Sequence, residues 1–323
     1  MQREGEASAP HPGFVHPALI YGSDDEFMDV ALPFVEQGIA ANEPVLVAVQ
    51  SRNIENLRAA LGGEPSGVTL LSVEEWYETS ARTRDKFGRW AHERIESGRV
   101  RLIGEPPWAV SNEAQVRDWA RYESVINVAF ADLPVSLMCP YDSRALPEEI
   151  VEHAHTTHPE LARRDGLARS GHYEDPRAFC RRLDARVKRP AGEPSTELDF
   201  GLADLHGSRR LVRSMAIAGG LPGSRSDELA LAVNEVASNA IVHGRAPASL
   251  RIWQGDRELV CEVSDSGEGI DDVLAGQLTP PPDGIGGRGL WLARMVCDAV
   301  EIRNGAGCTV AMHATAPAFA PTA

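Results

Sequence analysis

Two polar side chains lie one helical turn apart in the C-terminal part of this 323-residue chain. Glu235 and Asn239 stand in the run 228–244, where Leu, Val, Ala and Ile recur at the spacing of an amphipathic helix. Residues four apart share one face of a helix. A carboxylate one turn before a carboxamide can hold a hydroxyl beside Mg²⁺, because this ion prefers oxygen ligands and an amide oxygen adds no charge near phosphates. Most such pairs are merely solvated, so the chemistry depends on the residues that follow.

Two glycine-rich turns follow this helix. The alternating strand pattern of residues 258–264 runs into Asp265-Ser-Gly-Glu-Gly-Ile270, and Gly284-Ile-Gly-Gly-Arg-Gly-Leu290 opens a second helical pattern at 291–296. Glycines before a helix let backbone amides approach a ligand closely, which favours a phosphate cradle. Each turn alone is a weak signal. The order of helix, strand, first glycine turn and second glycine turn within residues 228–290 is specific.

Together these motifs resemble the ATP-binding domain shared by Hsp90, gyrase, histidine kinases and MutL, over residues 197–313. Three phrases are most similar to the bacterial anti-sigma-factor serine kinases: Ala-Val-Asn-Glu-Val-Ala-Ser-Asn-Ala-Ile-Val-His at 232–243, Gly-Arg-Gly-Leu-Trp-Leu-Ala-Arg at 287–294 and Gly-Cys-Thr-Val at 307–310. The resemblance implies an α+β sandwich with helices on one face of a mixed sheet. It also implies ATP and Mg²⁺ as cofactors.

The resemblance assigns roles where residues match. Asn239 would coordinate Mg²⁺, Glu235 would be the base or orienting group for the attacking hydroxyl, and Asp265 would accept a hydrogen bond from the adenine amino group. The other implied nucleotide contacts are Gly267, Gly269, Gly287, Arg288, Gly289 and Thr309, the last through a water on the adenine. The implied reaction is phosphoryl transfer to a protein serine or threonine, which relies on positioning and charge neutralisation. The short Pro-bearing segment 271–283 predicts a small lid over ATP and slow turnover.

In the N-terminal half, buried strands alternate with amphipathic helices. Strand patterns fall at 18–21, 44–49, 68–71, 100–103 and 135–138, and helical patterns fall at 24–41, 53–61, 83–97 and 113–130. This alternation predicts an α/β domain with a mostly parallel sheet. No G-x-x-x-x-G-K-[ST] motif is present, and Gly22-Ser-Asp-Asp-Glu26 places carboxylates where a phosphate loop needs amides and a lysine. We therefore expect no ATP hydrolysis in this half.

The same half carries Gly104-Glu-Pro-Pro-Trp108, Cys139-Pro-Tyr-Asp142 and His155-Thr-Thr-His-Pro159. These motifs resemble the MEDS sensory domain, a degenerate RecA-like module of methanogen and methylotroph regulators, and imply an unknown small-molecule ligand. Ends of strands and helices form pockets in open α/β sheets. The pocket residues predicted on that basis are His16, Glu105, Glu123, Cys139 and His158. The alternative is that these side chains satisfy one another in the core. A metal site is possible from His, Cys and Glu, but their spacing carries no metal-ligand signature, so a metal is not part of the prediction.

Composition limits the other function classes. A formal net charge of −15 argues against nucleic-acid binding, which needs a basic surface. There is no run of 18 apolar residues and no signal peptide, so a cytoplasmic protein without a membrane association is expected. The five cysteines are scattered and odd in number, as in reduced, mostly buried thiols.

Breaks in the pattern predict five segments. Residues 1–13 are expected to be disordered, 14–162 form the sensory domain, and 163–196 form a linker with a helix at 175–187. Residues 197–313 form the ATPase domain, and 314–323 are a low-complexity tail.

The resulting hypothesis is a sensory anti-sigma factor and serine-protein kinase. It would phosphorylate an anti-anti-sigma partner of the STAS type, and this would leave the kinase free to bind and hold a sigma factor. By resemblance, a homodimer is expected. Two alternatives remain: a non-catalytic, nucleotide-bound protein that sequesters sigma, and a sensor histidine kinase. The histidine kinase would need a helical hairpin with a phosphoacceptor histidine just before residue 197, where the sequence is polar and Pro-rich. An enzyme in the N-terminal half is disfavoured, because no acid and base are paired there at a telling spacing.

Overall fold

The computed structural model describes residues 13–108, 112–245, 248–280 and 287–316. Two compact units are present, one made of Met1–Trp76, Asp85–Pro107 and Ile126–Glu174, the other of Tyr77–Arg84, Trp108–Val125 and Asp175–Ala323. Among the described residues, no helix has the length and apolar character needed to cross a membrane. Most of the two terminal segments predicted to be disordered, residues 1–12 and 317–323, lies outside the described residues.

Helices and strands alternate along most of the chain. The helices are α1 (Asp24–Ala40), α2 (Ser51–Ala60), α3 (Val73–Trp76), α4 (Ser80–His92), α5 (Glu113–Ala129), α6 (Glu148–Thr157), α7 (Pro176–Asp184), α8 (Leu205–Ala218), α9 (Gly223–Val242) and α10 (Arg288–Val296). The strands are β1 (Pro17–Tyr21), β2 (Val45–Val49), β3 (Val68–Ser72), β4 (Val100–Gly104), β5 (Val135–Asp142), β6 (Glu160–Arg163), β7 (Gly166–Arg169), β8 (Thr196–Phe200), β9 (Ala248–Gln254), β10 (Glu258–Asp265), β11 (Ala299–Asn304) and β12 (Cys308–Thr315).

The first unit is built on a seven-stranded sheet in the order β3-β2-β4-β5-β1-β6-β7. Its strands are parallel from β3 to β6, and only the edge pair β6–β7 is antiparallel. Parallel strands are covered on both faces, which explains their continuous apolar runs. Every residue of β2, for example, is buried. The predicted α/β fold with a mostly parallel sheet is confirmed.

The edge hairpin β6–β7 was not predicted. It crosses the predicted boundary between the sensory domain (14–162) and the linker (163–196), and Gly166 has a φ of +121° where β7 begins. Edge strands commonly carry charged residues, so the alternation that identifies a buried strand is weak there. The helix predicted at 175–187 is present as α7. Asp175 caps it by accepting hydrogen bonds from the amides of Arg177 and Ala178.

The second unit contains a five-stranded sheet in the order β11-β12-β10-β9-β8. Helices α8, α9 and α10 bury their apolar residues against one face of it, in a core that includes Val233, Val263 and Val310. The predicted α+β sandwich is confirmed. The sheet is antiparallel throughout rather than mixed, because β9–β10 and β11–β12 are connected by short hairpin turns. Strand β12 continues to Thr315, two residues into the predicted tail.

Candidate functional site

A cavity of about 260 Å³ opens between α9, β10, β12 and the start of α10. Apolar side chains from each element line it, together with the polar residues Asn239 and Asp265. The apolar lining residues are Val236, Ala240, Val263, Ile270, Leu290 and Val310. Such a slot suits a flat heterocycle, and the carboxylate of Asp265 can accept a hydrogen bond from an exocyclic amino group.

Helix α9 presents Glu235, the predicted catalytic residue, and Asn239, the predicted Mg²⁺ ligand, on one flank. Its opposite face is buried in the core through residues such as Leu229 and Val233. Asn239 lines the cavity, whereas Glu235 lies one turn earlier and outside its wall. Both side chains approach Gly289 in the first turn of α10. A Cβ atom on Gly289 would lie 2.7 Å from Asn239 Nδ2 and 3.4 Å from Glu235 Cβ. The glycine therefore allows α10 to pack directly against this pair.

Asp265 ends β10 and is held by two close backbone segments. Its Oδ1 accepts a 2.7 Å hydrogen bond from the amide of Gly267. A Cβ atom on Gly244 would lie 2.5 Å from Asp265 Cγ, and one on Gly267 would lie 2.8 Å from the Gly244 Cα. Only glycine fits at both positions without displacing the carboxylate. Gly244 was not among the predicted site residues, although it ends the helix motif that drew attention to Asn239.

The turn after Asp265 is fixed by Asn304, which the sequence did not single out. Its Oδ1 accepts from the amide of Ile270 at 3.1 Å, and its Nδ2 donates to the Ile270 carbonyl at 2.8 Å. Gly269 lines the cavity with a φ of +92°, and a Cβ atom there would lie 2.8 Å from Asn304 Oδ1. The glycine thus lets the amide of Asn304 dock against the turn.

Helix α10 begins beside the cavity. Gly287 is its N-cap residue, has a φ of +76° and lines the cavity, and Arg288 is exposed at the first position. The amides that start a helix carry partial positive charge and favour anions. Residues 284–286 of the predicted phosphate loop, and residues 281–283 of the predicted lid, lie outside the described residues.

Neither Thr309, a predicted nucleotide contact, nor Arg294 lines the cavity. The Thr309 hydroxyl lies 3.0 Å from Ser264 Oγ, its partner across β10 and β12, and Thr309 does not line the cavity. Arg294, in the last turn of α10, is buried. It donates from Nε to the Ala275 carbonyl at 3.1 Å and from Nη1 to the Val300 carbonyl at 3.0 Å. Burial lowers the pKa of this guanidinium to about 10. Arg294 therefore links α10 to Ala275 and to Val300 in β11.

Three of the five candidate residues in the N-terminal half come together in the first unit. One ligand atom from each of His16, Cys139 and His158 lies within 4.8 Å of the others, and all three residues are buried. Glu123 is buried on α5. Glu105 does not belong to this cluster. It follows β4, accepts a 2.9 Å hydrogen bond from the Gln50 amide, and burial raises the pKa of its carboxyl to about 7.

Two family models match the chain, one in each half. Residues 15–159 match the family model of the MEDS domain, described as the methanogen/methylotroph DcmR sensory domain. Residues 200–314 match the family model of the histidine kinase-like ATPase domain. Among solved structures, the catalytic domain of the histidine kinase ThkA in a nucleotide-free form matches at 14% identity. That match covers 38% of this chain and 96% of the other, with a TM-score of 0.25. No curated protein sequence matches the chain significantly.

Proposed function

Because the chain joins a MEDS sensory domain to a histidine kinase-like ATPase domain, we propose that it is a protein serine/threonine kinase regulated by its sensory half. It binds Mg-ATP in the cavity beside α9 and transfers the terminal phosphoryl group to a serine of an anti-anti-sigma protein of the STAS type. The same unit also binds a sigma factor. Phosphorylation of the anti-anti-sigma protein leaves the kinase free to bind the sigma factor. Competition of two partners for one surface makes the output a switch.

The observation that carries the proposal is the contact of Gly289 with both Glu235 and Asn239. The residues fit a magnesium-bound nucleotide. An apolar slot with Asp265 at its edge suits the adenine, and the start of α10 at Gly287 suits the phosphates. Asn239 supplies an uncharged oxygen ligand for Mg²⁺.

Each part of the site would do a separate task. Bound Mg²⁺ would neutralise charge on the phosphates. Asn239 would hold the metal, and Glu235, one turn away on the same helix, would orient the incoming hydroxyl and accept its proton. Because Gly289 fixes α10 against both side chains, the start of α10 and the two functional groups keep one geometry. Such pre-organisation is the main source of rate in phosphoryl transfer.

Transfer to a serine of another protein is favoured over a histidine kinase by the segment that precedes the second sheet. Residues 160–184 form the β6–β7 hairpin and the nine-residue helix α7, whose sequence Pro-Arg-Ala-Phe-Cys-Arg-Arg-Leu-Asp holds no histidine. A histidine kinase instead places two long antiparallel helices and a phosphoacceptor histidine at this point of the chain.

The test uses the full chain with γ-labelled ATP, Mg²⁺ and purified STAS-domain proteins, compared with the Glu235→Gln variant. We expect acid-stable label on a serine of one STAS protein. In the variant the rate should fall by about 100- to 10,000-fold, the usual contribution of a general base, while ATP binding stays within about twofold. Acid-labile label on the chain itself would instead establish a histidine kinase. Tight ATP binding without any transfer would leave a nucleotide-bound scaffold.

A further inference from the structure

The cluster of His16, Cys139 and His158 has a property that the proposed kinase does not use. Two imidazole nitrogens and one thiol sulfur converge within 4.8 Å in the interior of the first unit. We propose that this cluster is a site for a divalent transition metal, best matched to Zn²⁺. Nitrogen and sulfur are ligands that Zn²⁺ takes in proteins, and a site with three protein ligands completes its tetrahedron with a water or another oxygen ligand.

The separations suit one small ion. Zinc–ligand bonds of about 2.0–2.3 Å place tetrahedral ligand atoms about 3.3–3.8 Å apart. His16 Nε2 and Cys139 Sγ lie 3.4 Å apart, and the His16 and His158 ring centres are separated by 4.2 Å. At its widest the cluster has to contract by about 1 Å to enclose the ion.

Hydrogen bonds on the far side of His16 fix its tautomer. Asn127 Nδ2 donates to the Thr157 carbonyl at 2.8 Å, so the Asn127 amide oxygen is the atom that faces His16 Nδ1 at 3.1 Å. An amide oxygen only accepts, so Nδ1 of His16 carries the proton. The basic nitrogen of the neutral ring is then Nε2, the atom that faces Cys139 Sγ.

His158 is oriented in the same way. Its Nδ1 lies 2.9 Å from the Ala154 carbonyl oxygen, which again can only accept. Nε2 is therefore the basic nitrogen of this ring as well. Metal-ligating histidines typically donate their other N–H to a carbonyl or carboxamide in this manner, which fixes the ring and strengthens the ligand. Both rings thus have the hydrogen-bonding pattern of metal ligands.

The surroundings are dry and aromatic. Phe14 stacks on His16 with ring centres 5.3 Å apart, and Tyr141 meets His158 edge-on at 5.6 Å. Cys139 is 1% exposed. A thiolate at such depth is costly unless it is paired with a positive charge and hydrogen-bonded. A bound Zn²⁺ would supply that charge and hold the thiol as thiolate.

The test is a titration of the full chain with Co²⁺, after chelation under reducing conditions. We expect one equivalent to bind, with the strong visible bands of four-coordinate Co²⁺ and a near-ultraviolet thiolate-to-cobalt band, and we expect Zn²⁺ to displace it. The thiolate band should be lost in Cys139→Ser and kept in Cys180→Ser, which changes another buried cysteine outside the cluster. Asn127→Ala, which removes a positioning residue, should weaken binding by about 10- to 100-fold with the thiolate band retained.

A second measurement needs no variant and so does not depend on how well a variant folds. X-ray absorption of the Zn²⁺-loaded wild-type chain should give one sulfur and three nitrogen or oxygen neighbours. The proposal is overturned if the folded wild-type chain takes up no Co²⁺ or Zn²⁺, if the absorption shows no sulfur neighbour, or if the thiolate band survives in Cys139→Ser.

Discussion

Replacing Gly289 by alanine is the most selective perturbation of the nucleotide site. The new Cβ would lie 2.7 Å from Asn239 Nδ2. Carbon–nitrogen contacts below about 3.0 Å are repulsive and ordinary ones begin near 3.4 Å, so the amide has to retreat by about 0.3–0.7 Å. The contact falls on the end of a rotatable side chain, and alanine is favoured over glycine in a helix by up to about 1 kcal/mol. The fold of the unit should therefore survive.

The loss should appear in the binding of magnesium-bound nucleotide. Mg²⁺ requires near-ideal geometry at about 2.0–2.1 Å, and a ligand displaced by a third of that distance no longer serves it. Disturbing the support of a metal ligand typically costs about 10- to 100-fold in affinity, which corresponds to about 1.4–2.7 kcal/mol. ATP without Mg²⁺ should bind to Gly289→Ala and to the wild type within about threefold.

Displacement of a fluorescent ATP analogue, with Mg²⁺ and with EDTA, measures both affinities on the full chain. Gly207→Ala in α8 is the matched control, because the same change there meets nothing within 4 Å. If Gly289→Ala bound Mg-ATP as tightly as the Gly207→Ala chain, Asn239 would not hold the metal. The reasoning from the contact of α9 with α10 would then be refuted.

Three further perturbations test other parts of the structure. Burial lowers the pKa of His313, but hydrogen bonds to Glu258 and Glu301 outweigh this effect and raise the pKa to about 9. The protonated ring should therefore contribute its whole stabilisation below pH ~6.5, and the free energy of unfolding should fall by up to about 3 kcal/mol as the pH rises through 9. Urea unfolding of His313→Gln should not show this fall. Burial raises the pKa of Glu105 to about 7, so the neutral carboxyl stabilises the fold at low pH and this contribution is lost between pH ~4.5 and 7. At pH 8, Glu105→Gln should be more stable than the wild type by up to about 3 kcal/mol. Equal stability of the two proteins at pH 8 would contradict the raised pKa of Glu105. Asn304→Ala removes both hydrogen bonds to Ile270 and so loosens the turn that follows Asp265. Nucleotide affinity measured by calorimetric titration should fall about tenfold, or about 1.4 kcal/mol. Unchanged affinity would show that the turn keeps its conformation without Asn304.

Much of the ATPase unit could be predicted because its signals are local. Apolar residues of α9 recur at helical spacing and fix which face is buried, so Glu235 and Asn239 had to share a flank. The alternation of β10 likewise placed Asp265 at a strand end. Gly244 and Asn304 were missed, because their importance lies in contacts with Asp265 and Ile270 that arise only when separate elements pack.

The cluster around Cys139 shows why the spacing of residues along the sequence did not reveal a metal site in the N-terminal half. Its residues come from the approach to β1, from β5 and from the end of α6. Metal motifs are recognisable in a sequence when their ligands lie in one turn or hairpin. Here His16 and Cys139 are 123 residues apart, and only the parallel pairing of β1 with β5 brings them together. The edge hairpin β6–β7 was missed because strand alternation is weak at an exposed edge.

The central claim is that the cavity beside α9 binds magnesium-bound ATP, and calorimetry on the full chain and on Asn239→Ala tests it most directly. The account predicts micromolar binding by the wild type, on the order of −8 kcal/mol, that requires Mg²⁺ and weakens at least tenfold in the variant. Absence of binding to well-folded wild-type protein, or equal affinity of the two chains, would contradict it.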